Sequence, residues 1–272
     1  MATAANGAAC RPSAVGTLVR RWRESRRLSQ LALGLDADVS PRHISFIETG
    51  RARPSPSVLL ALATALDVPL REQNALLQAA GYPPVFPATP LDDPAMAPVR
   101  TAIELLLRQH EPRSAIAFDR RWDLVMVNSA YSELLALTFD EPPADLVPFR
   151  LTREPRPNFL RLVFDPRGVR RTIVNWESVA RALLNDVHRA LARSHDPELQ
   201  RLLDELMSYP GVPKQWREPE LAPPPGATLA FEMNLGGTLA RFFSAVTTLG
   251  KPQDVTLDEL YIETFFPADA PA

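Results

Sequence analysis

The sequence predicts two domains of different class. An all-α bundle of five short helices comes first, followed by an α+β domain with a five-stranded antiparallel sheet and helices on one face. Three observations carry this. Residues 83–98 hold six prolines in 16 positions, which no helix interior tolerates, so they read as a semi-rigid connector between domains at 1–82 and 99–272. Before that run, apolar residues recur at helical spacing. After it, helical stretches alternate with short runs of period two.

The first helix is expected over Val15–Arg26, with Val15, Leu18, Val19 and Trp22 on one face. Ser29 caps a second, with Leu31, Ala32 and Leu35 inward. Ser40-Pro41 opens a third, which turns Ile44 and Ile47 inward and stops at Gly50. Ser57 caps a fourth carrying Leu59, Leu60, Leu62, Ala63 and Leu66. The fifth runs from Glu72 to Ala80 and closes at Gly81.

Beyond the prolines, Val99–Gln109 is helical, and Ala115–Phe118 and Leu124–Val127 are strands joined by a tight turn. Asn128 caps a helix reaching Leu137. Asn158–Phe164 and Val169–Ala192 are helices, and Asp196-Pro197 starts another. Strands at Ala227–Leu235, Thr238–Thr247 and Glu259–Phe266 close the chain. The first two turn at Gly236-Gly237, and Leu229, Phe231, Met233 and Leu235 share one face. Proline-rich stretches at 141–157 and 219–225 interrupt this half.

Composition narrows the class. A hydrophobic fraction of 46% with 23% charged residues is that of a soluble globular protein. No apolar run spans a bilayer, and Met1–Ala9 does not read as a signal peptide, so a cytoplasmic, nucleoid-associated protein is expected. The single cysteine, Cys10, excludes an internal disulfide and reads as an idle tail thiol. Ten arginines face six acids in residues 1–82, whereas 83–272 carry 20 basic and 26 acidic residues. A basic N-terminal part on an acidic body suggests that one end meets a polyanion.

The sharpest motif is Leu28-Ser29-Gln30-x-x-Leu33, then Val39-Ser40-Pro41-Arg42-His43-Ile44-Ser45-Phe46-Ile47-Glu48-x-Gly50-Arg51-x-Arg53-Pro54-Ser55. It resembles the repressor-like helix-turn-helix regulators of the Xre type. The resemblance implies that the third helix enters the major groove of double-stranded DNA and that Gln30 meets a phosphate. With Ile44 and Ile47 inward, Ser40, Pro41, Arg42, His43, Ser45 and Phe46 remain to meet DNA. Arg42 suits guanine O6 and N7, and Phe46 suits thymine methyl groups. Arg51 and Arg53 suit phosphates. The family commonly pairs an arginine of the first helix with the glutamate before the stop glycine, here Arg23 and Glu48, a structural pair. Pro41 stands where that family often has a polar base reader. A protein-docking bundle is the alternative reading of the same arginines.

In the second half, Phe118-Asp119-x-x-Trp122-Asp123-Leu124, Asn158-Phe159-Leu160-Arg161, Asn175-Trp176 and Asp254-Val255-Thr256-Leu257-Asp258-Glu259-Leu260 through Glu263-Thr264-Phe265-Phe266-Pro267 are similar to the MmyB-like regulators. That resemblance implies a PAS-like fold and a fatty acid as bound ligand. A cavity between sheet and helices would be lined from Trp122, Met126, Phe159, Phe164, Trp176, Phe231, Met233 and Phe243, each of which also reads as plain core. Arg161 is the candidate partner for a ligand carboxylate. The basic cluster Arg167, Arg170 and Arg171 reads as a solvated face, with an anion site as the alternative.

No catalytic constellation stands out, and the four histidines, His43, His110, His188 and His195, lack metal-ligand spacing, so neither metal nor other cofactor is expected. The reading is a homodimeric regulator that binds a palindromic operator, senses a small apolar ligand and has no membrane partner. A C-terminal half that only dimerises is the first alternative. An enzyme with autoregulatory DNA binding is the second.

Overall fold

The computed structural model describes residues 13–139, 146–194, 196–219 and 229–268. Cys10, His195 and, of the proline-rich stretches that the sequence singled out, residues 141–145 and 220–225 lie outside the described residues, as do the first residues of the strand expected from Ala227. The chain forms two units. One comprises residues 1–88 with 252–258, the other 89–251 with 259–272, so the proline run 83–98 is divided between them.

The first unit holds α1 (Ala14–Ser25), α2 (Gln30–Ala37), α3 (Pro41–Glu48), α4 (Pro56–Ala65) and α5 (Leu70–Ala79). Four serines start the first four helices. Ser13, Ser29, Ser40 and Ser55 each accept the backbone N–H of the third residue onward, filling a donor that the helix itself leaves open. Ser55 rather than Ser57 caps α4, because Pro56 occupies the first helical position, where a missing N–H costs nothing. α2 also turns differently from expectation: Leu33 is buried, while Leu31 and Leu35 are 60% and 76% exposed. Eight residues with apolar groups at nearly every second place do not define one stripe. The close turn decides, because a Cβ on Gly34 would lie 2.6 Å from the Val39 carbonyl oxygen. Val19, Trp22, Leu33, Ile44, Ile47, Leu59, Leu62 and Leu77 form the core.

The second unit opens with a 3-10 turn at Pro94–Met96 and α6 (Ala97–Gln109). β1 (Ala115–Asp119), β2 (Leu124–Val127), α7 (Ser129–Thr138), α8 (Phe159–Phe164), α9 (Trp176–Ser194) and α10 (Pro197–Leu206) follow, then β3 (Ala230–Leu235), β4 (Thr238–Thr248) and β5 (Leu260–Pro267). A short helix, α11 (Val255–Asp258), lies between β4 and β5 in the chain and belongs to the first unit. The sheet has five antiparallel strands in the order β2-β1-β5-β4-β3, so the last strand in sequence is the middle one in space.

The stretch 169–192, expected as one helix, breaks at 173–175. Ile173 bridges Met233, and Val174 donates its N–H to the Glu232 carbonyl at 2.7 Å. Asn175 holds the same edge, donating to the Ala230 carbonyl and accepting the Glu232 N–H. The unpaired edge of β3 takes hydrogen bonds that a continuous helix would have kept for itself. One sheet face, with Ile116, Phe118, Leu124, Phe231 and Met233, packs against α7, α8 and α9 in the main core. The other face is not bare: α6 lies against β1 and β2, where Ala115, Ala117 and Met126 are buried.

Candidate DNA interface and ligand cavity

The geometry of the candidate DNA interface starts from one buried carboxylate. Glu48, 4% exposed at the end of α3, is gripped by Arg23 of α1 through Nε at 2.7 Å and Nη2 at 2.9 Å. Arg23 Nη1 also donates to the Leu28 carbonyl, so the pair ties α1, the α1–α2 turn and α3 together. Gln30, expected at a phosphate, donates its Nε2 to Glu48 Oε2 at 2.9 Å, which orients its side chain at the start of α2. A Cβ on Gly16 would sit 2.3 Å from the Ile47 carbonyl oxygen, so only glycine lets α1 approach α3 this closely.

These constraints leave the outer face of α3 free. Pro41 and Arg42 are exposed, and His43, Ser45 and Phe46 are half-buried. Arg42 carries its guanidinium 5.3 Å from the Phe46 ring centre, so the two residues present a joint surface. The Ser40 hydroxyl is engaged by the His43 N–H at 3.2 Å. Arg51 is exposed. Arg53, expected at a phosphate, is also exposed, while its Nε and Nη2 donate to the Ala80 carbonyl at 3.1 and 2.8 Å and its guanidinium stacks on Tyr82. It closes the end of α5, where Gly81 takes φ +80°.

The second unit contains a cavity of about 390 Å³ between the sheet and α7 and α8. Tyr131, Leu134, Leu135 and Leu137 of α7 form one wall, and Phe159, Val163 and Val169 another. The sheet contributes Phe231, Met233, Leu235, Phe242, Phe265 and Pro267. Polar groups gather among Arg113, Ser114, Tyr131 and Glu133. Two buried asparagines hold these walls. Asn128, fully buried, caps α7 by accepting the Tyr131 N–H at 3.0 Å. It also accepts the Ala115 N–H and donates to the Arg113 carbonyl at 2.7 Å. Asn158 caps α8 and donates to the Arg121 carbonyl and Asp123 Oδ1, joining α8 to the β1–β2 turn.

Three of the nine residues expected at a ligand, Phe159, Phe231 and Met233, line the cavity. The rest do not. Met126 pairs with Ala117 on the opposite sheet face, because a bulge between Ala117 and Phe118 sets its register. Phe243 also points to that face and stacks on Phe266. Phe164 and Trp176 meet edge to face, and Trp176 packs on Trp216 in solid core. Trp122 occupies the β1–β2 turn with φ +62°. Arg161 forks onto both oxygens of Glu205 at 2.9 Å. The basic cluster is dispersed: Arg167 pairs with Asp165, and Arg170 lies over Trp176 and donates to the Pro210 carbonyl. Phe265 was legible, because period two through Tyr261 and Glu263 places it inward with them. Arg113 lies in a loop, where no period exists to reveal it.

Ionisable groups near the cavity are perturbed by burial. Glu263, central on β5, is pushed up to about 7 by loss of solvent, with a Ser244 hydrogen bond opposing and the Asp186 charge adding to the rise. Burial and the Glu263 charge push the Tyr131 phenol far up, so it stays a neutral donor. Among the described residues no cluster has the makings of a metal site, and no helix is long and apolar enough to cross a membrane.

Two family profiles match this architecture. A helix-turn-helix profile covers residues 19–73, and the profile of the MmyB-like transcription regulator ligand binding domain covers 99–272. The chain belongs to the MmyB-like transcription regulators. The MmyB-like regulator is similar to the restriction-modification controller protein C.AhdI from Aeromonas hydrophila, with 32% identity over 22% of this chain and 89% of that one, at a TM-score of 0.21. It is also similar to an RNA-binding light-oxygen-voltage receptor, with 12% identity over 94% of this chain and 58% of that one, at a TM-score of 0.23. No curated protein matches it. The MmyB-like regulator is a DNA-binding transcription regulator with a domain that takes a small ligand, and both of its families are regulatory rather than enzymatic.

Proposed function

We propose that this regulator senses a single-chain apolar acid of the fatty-acid type and uses its occupancy to set DNA affinity. The observation that carries this reading is the cavity of about 390 Å³, walled by aliphatic and aromatic side chains with Arg113 among its few polar groups. Each methylene moved from water into such a lining contributes about 0.8 kcal/mol. A cavity of this kind selects for hydrocarbon and leaves orientation to a few polar groups. Arg113 makes no ion pair among the described residues and takes the role expected of Arg161, whose fork is engaged by Glu205. A collapsed interior would have favoured a purely dimerising domain.

The DNA-binding half works as a homodimer on a palindromic operator in the cytoplasm. Two copies of α3 sit one helical turn apart, about 34 Å, in successive major grooves. Arg42 and Phe46 read base edges, His43 and Ser45 flank them, and Arg51 and the first turn of α2 meet phosphates. The acid shifts the population between DNA-competent and incompetent dimers through its differential affinity for the two.

The test is denaturing mass spectrometry of an organic extract from purified protein. A stoichiometric long-chain acid supports the reading. If the extract is empty and added hexadecanoate does not bind in calorimetry, the reading is wrong.

A further inference from the structure

The stretch from Asp254 to Asp258, one of the segments that carried the family likeness in the sequence, packs within the DNA-binding unit, although the chain enters it from β4 and leaves it into β5. Its role there begins with a defect in α5. The residue before that helix is Pro69, which has no side-chain acceptor, and α5 lacks a side-chain cap of its own. The Leu70 N–H is one of the amides that every helix N-terminus leaves open. Asp258 Oδ2 accepts that amide at 2.9 Å. A carboxylate also suits the positive end of the helix dipole. A second anchor holds the segment. Val255 donates its N–H to the Pro87 carbonyl at 2.8 Å, and its side chain is 1% exposed. Asp254 shapes the turn by accepting the Thr256 N–H at 2.8 Å.

The two strands that flank this segment are cavity walls. β4 contributes Phe242, and β5 contributes Phe265 and Pro267. On the other side of the relay, α5 supplies Leu76 and Leu77 to the core that also holds Ile44 and Ile47 of α3. We propose that the β4–β5 connection is a covalent relay, in which Asp258 caps α5 and the contents of the cavity, acting through β4 and β5, set how firmly that cap holds the DNA-binding unit. This rests on the sensing function proposed above and names its route. Asp258 is a positioning residue, because it acts on DNA only through α5. Chain continuity makes the route short: two residues after the Asp258 carboxylate, the backbone is already in β5.

Hydrogen exchange of the full chain, with and without hexadecanoate, tests the relay in wild type, Asp258→Ala and Asp258→Asn. In wild type, hexadecanoate slows exchange in β4 and β5 and also changes it at residues 70–79. In Asp258→Ala, the Leu70 amide exchanges about fivefold or more faster, as loss of a cap requires. The response at 70–79 disappears there, while that in β4 and β5 persists. Asp258→Asn keeps an acceptor oxygen and therefore keeps the response. A purely structural cap would raise the baseline at Leu70 yet leave the hexadecanoate response intact, and that result overturns the relay. So does a wild type in which β4 and β5 respond and α5 does not, a pattern that leaves the sensing function standing and decides the matter even if Asp258→Ala does not fold. If β4 and β5 do not respond, the sensing of this acid falls and the relay with it.

Discussion

Arg42 and Arg51 are both exposed arginines of the surface proposed to face DNA, yet physics assigns them different work. A fork at the start of the groove helix meets one base pair, whereas a charge beyond its end meets the backbone wherever the protein sits. Arg42→Ala should cost about 1–3 kcal/mol on a selected operator duplex and relax preference at one position. Arg51→Ala should weaken all duplexes alike and lower the slope of log affinity against log salt by about one. Fluorescence anisotropy across a salt series separates the two. Glu263 makes the second residue-scale argument. Its carboxyl rises from 4.5 to about 7 on folding, so between those values the folded chain binds a proton that the unfolded chain releases. The stability this represents is complete below about pH 4.5 and is lost as pH rises through about 7. Glu263→Gln should therefore match wild type in unfolding free energy near pH 4.5 and exceed it at about pH 8, by an amount on the order of 3 kcal/mol, as urea denaturation at the two pH values reads. Equal pH profiles for the two proteins would remove Glu263 from the account.

At the scale of elements, the caps organise both sites. Serines start α1 to α4, and two asparagines start α7 and α8. The asparagines do more than the serines, because each is buried and uses its amide in both directions. Asn128 ends β2, opens α7 and holds the loop that carries Arg113. Replacing it with Ala removes two acceptor contacts and a donor in a site without water access. The expected loss is at least about 2 kcal/mol, since each unsatisfied buried group costs about 1–3 kcal/mol. Urea denaturation measures that loss, and a cost under half of it would mean that the strand-to-helix junction tolerates repacking. The broken stretch at 173–175 belongs to the same scale, because Asn175 serves the edge of β3 where a continuous helix could not.

For the whole molecule, the consequence of a cavity is linkage. A ligand that binds only the folded chain stabilises it by about 2.7 kcal/mol at a hundred times its Kd. Hexadecanoate should raise the Tm of the second unit in proportion to the logarithm of its concentration, and Met233→Trp, which narrows the cavity, should weaken that dependence. Differential scanning calorimetry reads both, and a Tm that ignores the acid at saturating concentration refutes a folded-state site for it.

Much of this architecture was legible in the chain. The five helices, the strands, most of the capping residues and the third helix of the motif follow from local rules, since period, cap and turn each act within a few residues. The two sets of candidate residues divide along the same line. Apart from Gln30 on α2, the set proposed to face DNA lies on one eight-residue helix, α3, and its flanks, so spacing alone placed most of it on one element. The cavity set comes from elements far apart in sequence, and there hydrophobicity could not tell a lining residue from a core residue. Phe159 and Phe164 share α8, yet only the first meets the void. Arg161 suited a carboxylate by its chemistry, but Glu205, 44 residues away, engages it, and only the packed structure brings Arg113 to the cavity. The placement of β5 between β1 and β4, and the return of residues 252–258 to the DNA-binding unit, were likewise decided by tertiary structure. Burial of charge, strand order and empty space are properties of packed surfaces, and a single chain carries only one side of each surface at a time.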